Sequence, residues 1–230
     1  MTRHVIDGDP PIPLILRQSA RARRISLRVS RLDGRVTLTL PRFVSEGEAL
    51  EFAHQKADWL RRQLADRPDA VQVAPGTSVL LEGRPHMLVA GSGRRVARQG
   101  GQLVVPGAPD QAGRRVAAYL KAAARDRLVP VCDHYAARLG RRFSRITLRD
   151  TRSRWGSCSS AGALMFSWRL IMAPPEVLDY VAAHEVAHLA EMNHSAAFWN
   201  TVTRIHGPYD DARHWLRQNG ETLHRYRFGD

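Results

Sequence analysis

The chain has 230 residues and a mass of 25.8 kDa, enough for one large domain or two small ones with a real core. With 43% hydrophobic and 25% charged residues the composition is globular, which excludes disorder as the main state. Against 22 Asp+Glu stand 35 Lys+Arg, a net charge of +13, so nucleic acid is the first partner to consider. Only Lys56 and Lys121 are lysines; the rest of the positive charge is arginine, which a GC-rich coding sequence produces as readily as phosphate recognition does. Two cysteines, Cys132 and Cys158, make no disulfide framework. Residues 1–13 hold Asp7, Asp9 and three prolines where a signal peptide needs an apolar run. No stretch approaches the roughly 18 apolar residues of a membrane span. The expected location is the cytoplasm, with reduced thiols and no membrane partner.

In chain order, residues 14–40 read as strands. Ile25, Leu27 and Val29 alternate with polar residues, Asp33-Gly34 follows as a turn, and Val36, Leu38 and Leu40 alternate again, which predicts a hairpin closed by Pro41. Ser45 and Glu48 have capping-box spacing. Leu50, Ala53, Ala57, Leu60 and Leu64 then give one helical stripe, ended by Pro68. Residues 71–106 return to short strands, punctuated at Pro75-Gly76, Glu82-Gly83 and Gly100-Gly101. Gly107-Ala108-Pro109 is the expected linker. It divides a β-rich N-terminal accessory region with one helix, 1–108, from a second domain, 109–230.

In that second domain residues 111–139 are helical, with Pro130 expected to kink or split the segment and Gly140 to cap it. Ile146 to Arg149, Arg154 to Cys158 and Ala163 to Ile171 read as short strands. Pro174-Pro175-Glu176 starts a long helix, and helical segments follow near 196–205 and 210–219. No internal repeat is read. Charge is uneven: residues 1–70 hold 13 basic and 9 acidic residues, 71–150 hold 14 and 5, and 151–230 hold 8 and 8. The last third, though neutral, holds six of the ten histidines.

His184-Glu185-Val186-Ala187-His188 matches H-E-x-x-H, a motif with a zinc reading. Residues four apart share a helix face, so both imidazoles can reach one tetrahedral Zn²⁺. Glu185 is rotated by about 100° and can reach a zinc-bound water instead. Chance alone yields about 0.015 such matches in a chain of this composition. The candidate for the third ligand of an open catalytic site is His194, provided the helix ends first. Asn193 is the expected left-handed terminal residue, and Ser195 the cap of the next helix. The rival ligands are His206, His214, His224, Glu191 and Glu221.

At these residues the chain resembles the YgjP-like metallopeptidases, a zincin-fold family related to SprT-like proteins. The likeness runs through Arg154-Trp155-Gly156-Ser157-Cys158-Ser159, Phe166-Ser167-Trp168-Arg169-Leu170, Pro174-Pro175, the H-E-x-x-H helix, Asn193-His194-Ser195 and Phe198-Trp199. The resemblance implies an α+β fold, with a zincin-like metallopeptidase domain whose active-site helix lies beside a small antiparallel sheet. It implies a Zn²⁺ site built by His184, His188 and His194, with Glu185 as catalytic acid/base. The residue at 191 is Glu where metzincins have Gly, which argues against a metzincin. The resemblance also gives Trp155, Gly156, Ser157 and Cys158 a role as the strand that pairs with an extended substrate.

The expected function is zinc-dependent hydrolysis of peptide bonds in a peptide or protein, with a zinc-bound water activated by Glu185. Tyr180, Tyr209, Arg213 and His214 are candidates for stabilising the oxyanion. One alternative is an SprT-like protease acting on nucleic-acid-bound proteins through the basic residues 71–150. Another is a non-catalytic, zinc-stabilised binding module.

Overall fold

A computed structural model describes residues 2–30, 34–65 and 69–229. The expected turn residue Asp33 and helix stop Pro68 lie outside the described residues. The chain divides into two compact units, Met1–Asp69 and Ala70–Asp230.

In the first unit, β1 (Thr2–Ile6), β2 (Ile12–Gln18), β3 (Ser26–Val29) and β4 (Val36–Leu40) form a sheet in the order β1-β2-β4-β3. β3 and β4 are the antiparallel pair expected from their alternation, with Val29 opposite Val36. Val36, Leu38 and Leu40 point inward with Ile12, Leu14 and Leu16 of β2, as a period of two requires. Two helices cover this core, α1 (Glu46–Gln55) and α2 (Ala57–Ala65), where the stripe predicted one. The break is Lys56, at φ −99° and ψ 9°, whose N–H reaches back to the carbonyls of Ala53 and His54. The restart keeps Ala49 and Ala53 of α1 and Leu60 of α2 in one core. Ser45 caps α1 by accepting the Glu48 N–H at 3.2 Å.

The second unit opens on β5 (Val71–Gln72), which pairs in parallel with β13 (Tyr226–Arg227) near its other end. β6 (Ser78–Leu81), β7 (Arg84–Gly91), β8 (Ala97–Gln99) and β9 (Gln102–Pro106) form a sheet in the order β6-β7-β9-β8. This repeats the topology of the first sheet: the first pair antiparallel, the middle pair parallel, the last antiparallel. The repeat is absent from the sequence reading because the connections differ. Residues 7–11 join β1 to β2, whereas Glu82-Gly83 alone joins β6 to β7. Both have positive φ, 51° and 74°, the type I′ geometry that suits a two-residue hairpin.

The expected boundary at 108/109 therefore lies inside the second unit. Val79, Leu81, Leu88, Leu103 and Val105 share one core with the helices that follow. α3 (Ala112–Leu139) runs through Pro130 without splitting and ends on left-handed Gly140 (φ 71°). Val116, Leu120, Ala124, Leu128 and Cys132 bury one face of it.

β10 (Arg145–Arg149), β11 (Gly156–Cys158) and β12 (Ala163–Ser167) form a sheet with β12 in the middle. It is not the purely antiparallel sheet expected. β11 and β12 are antiparallel, but β10 and β12 run parallel, because β11 is inserted between them in sequence and pairs on the outer side. The strand expected to reach Ile171 stops at Ser167, and Trp168–Met172 form a 3₁₀ turn, all buried. Onto that turn docks the β6–β7 hairpin: Glu82 and Gly83 donate to the carbonyls of Ile171 and Met172 at 2.7 and 3.2 Å. The helix carrying the histidine motif, α4 (Pro175–Ala187), starts three residues later. α5 (Ala196–His206) and α6 (Asp210–Asn219) complete the unit. Six α-helices with small sheets make the described residues a mixed α+β fold. Among them no helix is long and apolar enough to cross a membrane.

Candidate metal centre

α4 is apolar nearly all round, with Val177, Leu178, Val181, Ala182, Ala183 and Val186 buried. His184 and His188 therefore stand on a helix that offers them almost no water. α4 ends at Ala187, with His188 as its cap at φ −63° and ψ −16°. Leu189 and Ala190 donate to carbonyls three residues back, which tightens the last turn. The chain then reverses and brings His194 over the helix end. The left-handed Asn193 expected from the sequence is absent: among the described non-glycine residues only Glu82 has positive φ. Asn193 instead accepts the Ser195 N–H through Oδ1 at 3.2 Å, a side-chain turn that needs no left-handed backbone. Ser195 caps α5 by accepting the Phe198 N–H at 3.4 Å, as expected.

The outcome is one cluster. Ligand atoms of His184, His188 and His194 lie within 4.8 Å of one another and could hold a metal ion. The Nε2 atoms of His184 and His194 are 3.0 Å apart, close to the roughly 3.4 Å edge of a tetrahedral zinc–histidine site. His188 directs Nδ1 at the Glu191 carbonyl, 2.9 Å away, which frees Nε2 for a metal. Phe198 packs against all three rings, at centroid distances of 4.8, 4.5 and 4.7 Å. Burial holds His184 down to about 3, with His188, His194 and Arg213 adding to the effect. Burial also lowers His188, against the opposing bond to Glu191. Neutral imidazoles are the form that binds metal, so the donor set fits a divalent ion.

Glu185 is 6% exposed. Burial pushes its carboxyl up to about 8, with Arg154 pulling it back. It lies against Gly156 of β11, the edge strand: a Cβ on Gly156 would come within 2.5 Å of the Glu185 side chain. That close approach is a requirement for glycine that neither composition nor periodicity reveals. Gly156→Ala should displace the carboxylate while leaving the three histidines in place. We expect peptide cleavage to fall about 10²-fold with metal content unchanged, measured by steady-state assay and metal analysis. Metal loss in this variant would mean that β11 supports the histidines rather than Glu185.

The other candidates separate from the cluster. Among the described residues His206, His214, His224, Glu191 and Glu221 do not join the metal group. His206 packs on Tyr135 and Tyr180, and His224 on Trp155. Cys158 donates to the Ser159 carbonyl at 3.4 Å, and burial, then Glu185, pushes its thiol up. Trp168 is core, whereas Trp155 is half-buried. Tyr180, Tyr209 and Trp199 form a stacked ladder, and Arg213 caps it 4.5 Å from the Trp199 ring.

The sequence profile of the YgjP-like metallopeptidase domain matches residues 23–219. The chain belongs to the YgjP-like metallopeptidases. Among solved structures, the metallopeptidase zymogen of Pyrococcus abyssi abylysin is similar at 20% identity with a TM-score of 0.37, over 43% of this chain and 97% of that one. Comparison with curated proteins gives no match. As a member of this family the metallopeptidase is a hydrolase that depends on a metal ion, and the matched region includes His184, Glu185, His188 and His194.

Proposed function

We propose that this metallopeptidase is a zinc enzyme that hydrolyses peptide bonds, with His184, His188 and His194 as ligands and Glu185 as the acid/base. The observation that carries the reading is the convergence of three histidines beside a buried carboxyl group that has no hydrogen-bond partner among the described residues, next to an edge strand. When bound, zinc supplies Lewis acidity at the scissile carbonyl and acidifies the attacking water. Glu185 takes the proton of that water through its carboxylate oxygen and returns it to the leaving amine. An extended substrate pairs with the free edge of β11, where Ser157 and Cys158 offer backbone groups next to Gly156. Of the oxyanion candidates Arg213 has the best support, since its charge reaches His184 and Trp199 holds its guanidinium. All of these residues lie in 109–230, the stretch read as a zincin-like domain.

The purified protein should carry about one zinc per chain. A chelator should abolish cleavage of an unfolded protein substrate, and added zinc should restore it. Cleavage that survives complete removal of the metal would reject the reading.

A further inference from the structure

A second constellation in the same unit contains none of the residues assigned to metal binding or acid/base chemistry. Arg114, Ala117, Ala118 and Lys121 share one face of α3, since residues three, four and seven apart lie together. Opposite them stand Arg152 ahead of β11, Trp168 and Arg169 after β12, and Arg227 in β13. Together they line an open cavity of about 610 Å³. Its charge is one-sided. Five cationic side chains face one carboxylate, Asp150, and Arg169 already grips that carboxylate with two hydrogen bonds of 2.7 and 3.1 Å. Arg114 and Lys121 are exposed and have no carboxylate partner among the described residues. Lys121 lies 5.8 Å from the Trp168 ring, and the buried Trp168 indole N–H has no acceptor among the described residues. Trp168 and Arg169 belong to a quoted motif, Phe166-Ser167-Trp168-Arg169-Leu170, that the proposed catalysis does not use.

The cavity adjoins the end of the sheet at which β11 begins. Asp150 and Arg152 sit in the loop leading to Gly156. Trp155 packs on His224 at 5.1 Å, and the same C-terminal segment brings Tyr226, Arg227 and Phe228 to the cavity wall. Arg152 stands four residues before Gly156, so an extended chain paired with β11 and continuing past Gly156 would run toward the loop that carries it. The bidentate grip on Asp150 shows the geometry in which this wall takes a carboxylate. A concave cavity admits side chains, whereas a nucleic-acid backbone asks for an extended stripe of cations.

We propose that this cavity is a specificity site for acidic side chains of the substrate, so that the enzyme prefers peptides rich in Asp and Glu on one side of the cleaved bond. The proposal rests on the peptidase reading for its consequence, but its binding step is independent. Zinc-loaded Glu185→Gln protein, which should not cleave, is titrated with a fluorescent glutamate-rich peptide and with its glutamine counterpart. The acidic peptide should bind about tenfold tighter, more weakly as salt rises. The Arg114→Ala/Lys121→Ala double variant should lose that preference with an unchanged melting temperature. In the wild type the preference should appear in KM more than in kcat. Equal binding of the two peptides, or a preference that survives the double variant, overturns the proposal. A short single-stranded oligonucleotide that binds more tightly than the acidic peptide and depends on Arg114 and Lys121 also overturns it. If neither peptide is cleaved yet the binding preference holds, the peptidase reading fails and the cavity stands. If both are cleaved alike with no binding preference, the cavity assignment fails and the peptidase reading stands.

Discussion

Glu185→Gln should leave the fold and the bound metal intact and reduce peptide cleavage by about 10²–10⁴-fold. The amide keeps the shape of the carboxyl but cannot accept the proton of the attacking water. Glu185 has no hydrogen-bonded partner to lose among the described residues, and burying a neutral amide costs less than burying a carboxylate. The variant should therefore melt no earlier than the wild type. The contrast is His184→Ala, which removes one of three imidazoles and should lose stoichiometric metal together with cleavage. Activity and metal content measured on both variants separate the two roles. A Glu185→Gln protein with full activity would remove the proposed mechanism, and a His184→Ala protein with full metal would remove the proposed site.

Arg169→Ala should destabilise the second unit by about 3–5 kcal/mol, the cost of breaking a largely buried ion pair. Arg169 is 7% exposed. Besides its bond to Asp150 it donates to the Leu223 and Tyr226 carbonyls at 2.9 and 3.2 Å. It also lies over the rings of Trp168 and Phe228, at 4.8 and 5.2 Å. One side chain thus ties the 3₁₀ turn before α4, the loop after β10 and the C-terminal segment. Truncation strands two carbonyls and the Asp150 carboxylate at once. The Asp150 side chain is 45% exposed, so water recovers part of that loss and the value belongs near the low end. At about 2–4 °C per kcal/mol the melting temperature should fall by roughly 6–12 °C. Arg169→Lys should recover only a fraction, because an ammonium cannot bridge a carboxylate and two carbonyls as a planar fork does. A melting temperature unchanged in Arg169→Ala would show that the C-terminal segment is held by other contacts.

Local signals in the sequence were enough for the elements whose causes are local. Alternation gave the β3–β4 pairing, Ser45 and Ser195 gave two helix caps, and the histidine spacing with its apolar flanks marked α4 as the chemical helix. The stripe through Ala57 misled at Lys56, because periodicity survives a one-residue break that keeps both helices on the same core. Asn193 misled for a related reason. A reversal after a helix has several backbone solutions, and here an Asn side chain bonded to Ser195 replaces the left-handed one. The 71–106 strands read as accessory because Gly107-Ala108-Pro109 after them reads as a linker. Their physical role lies in the hydrogen bonds of Glu82 and Gly83 to Ile171 and Met172, a pairing across about ninety residues that no window of sequence can reveal.

By itself the sequence determined the chemistry on offer: two histidines and a glutamate on one helix, a third histidine past its end, an arginine-rich charge outside the last third. Those depend only on residue type and helical period. Tertiary structure alone decided that His194 returns to within 3.0 Å of His184, that β11 brings Gly156 against Glu185, and that the +13 charge of the chain concentrates partly in one cavity beside Trp168. Each of these is a contact between segments distant in sequence, set by how helices and strands pack rather than by what any one segment prefers.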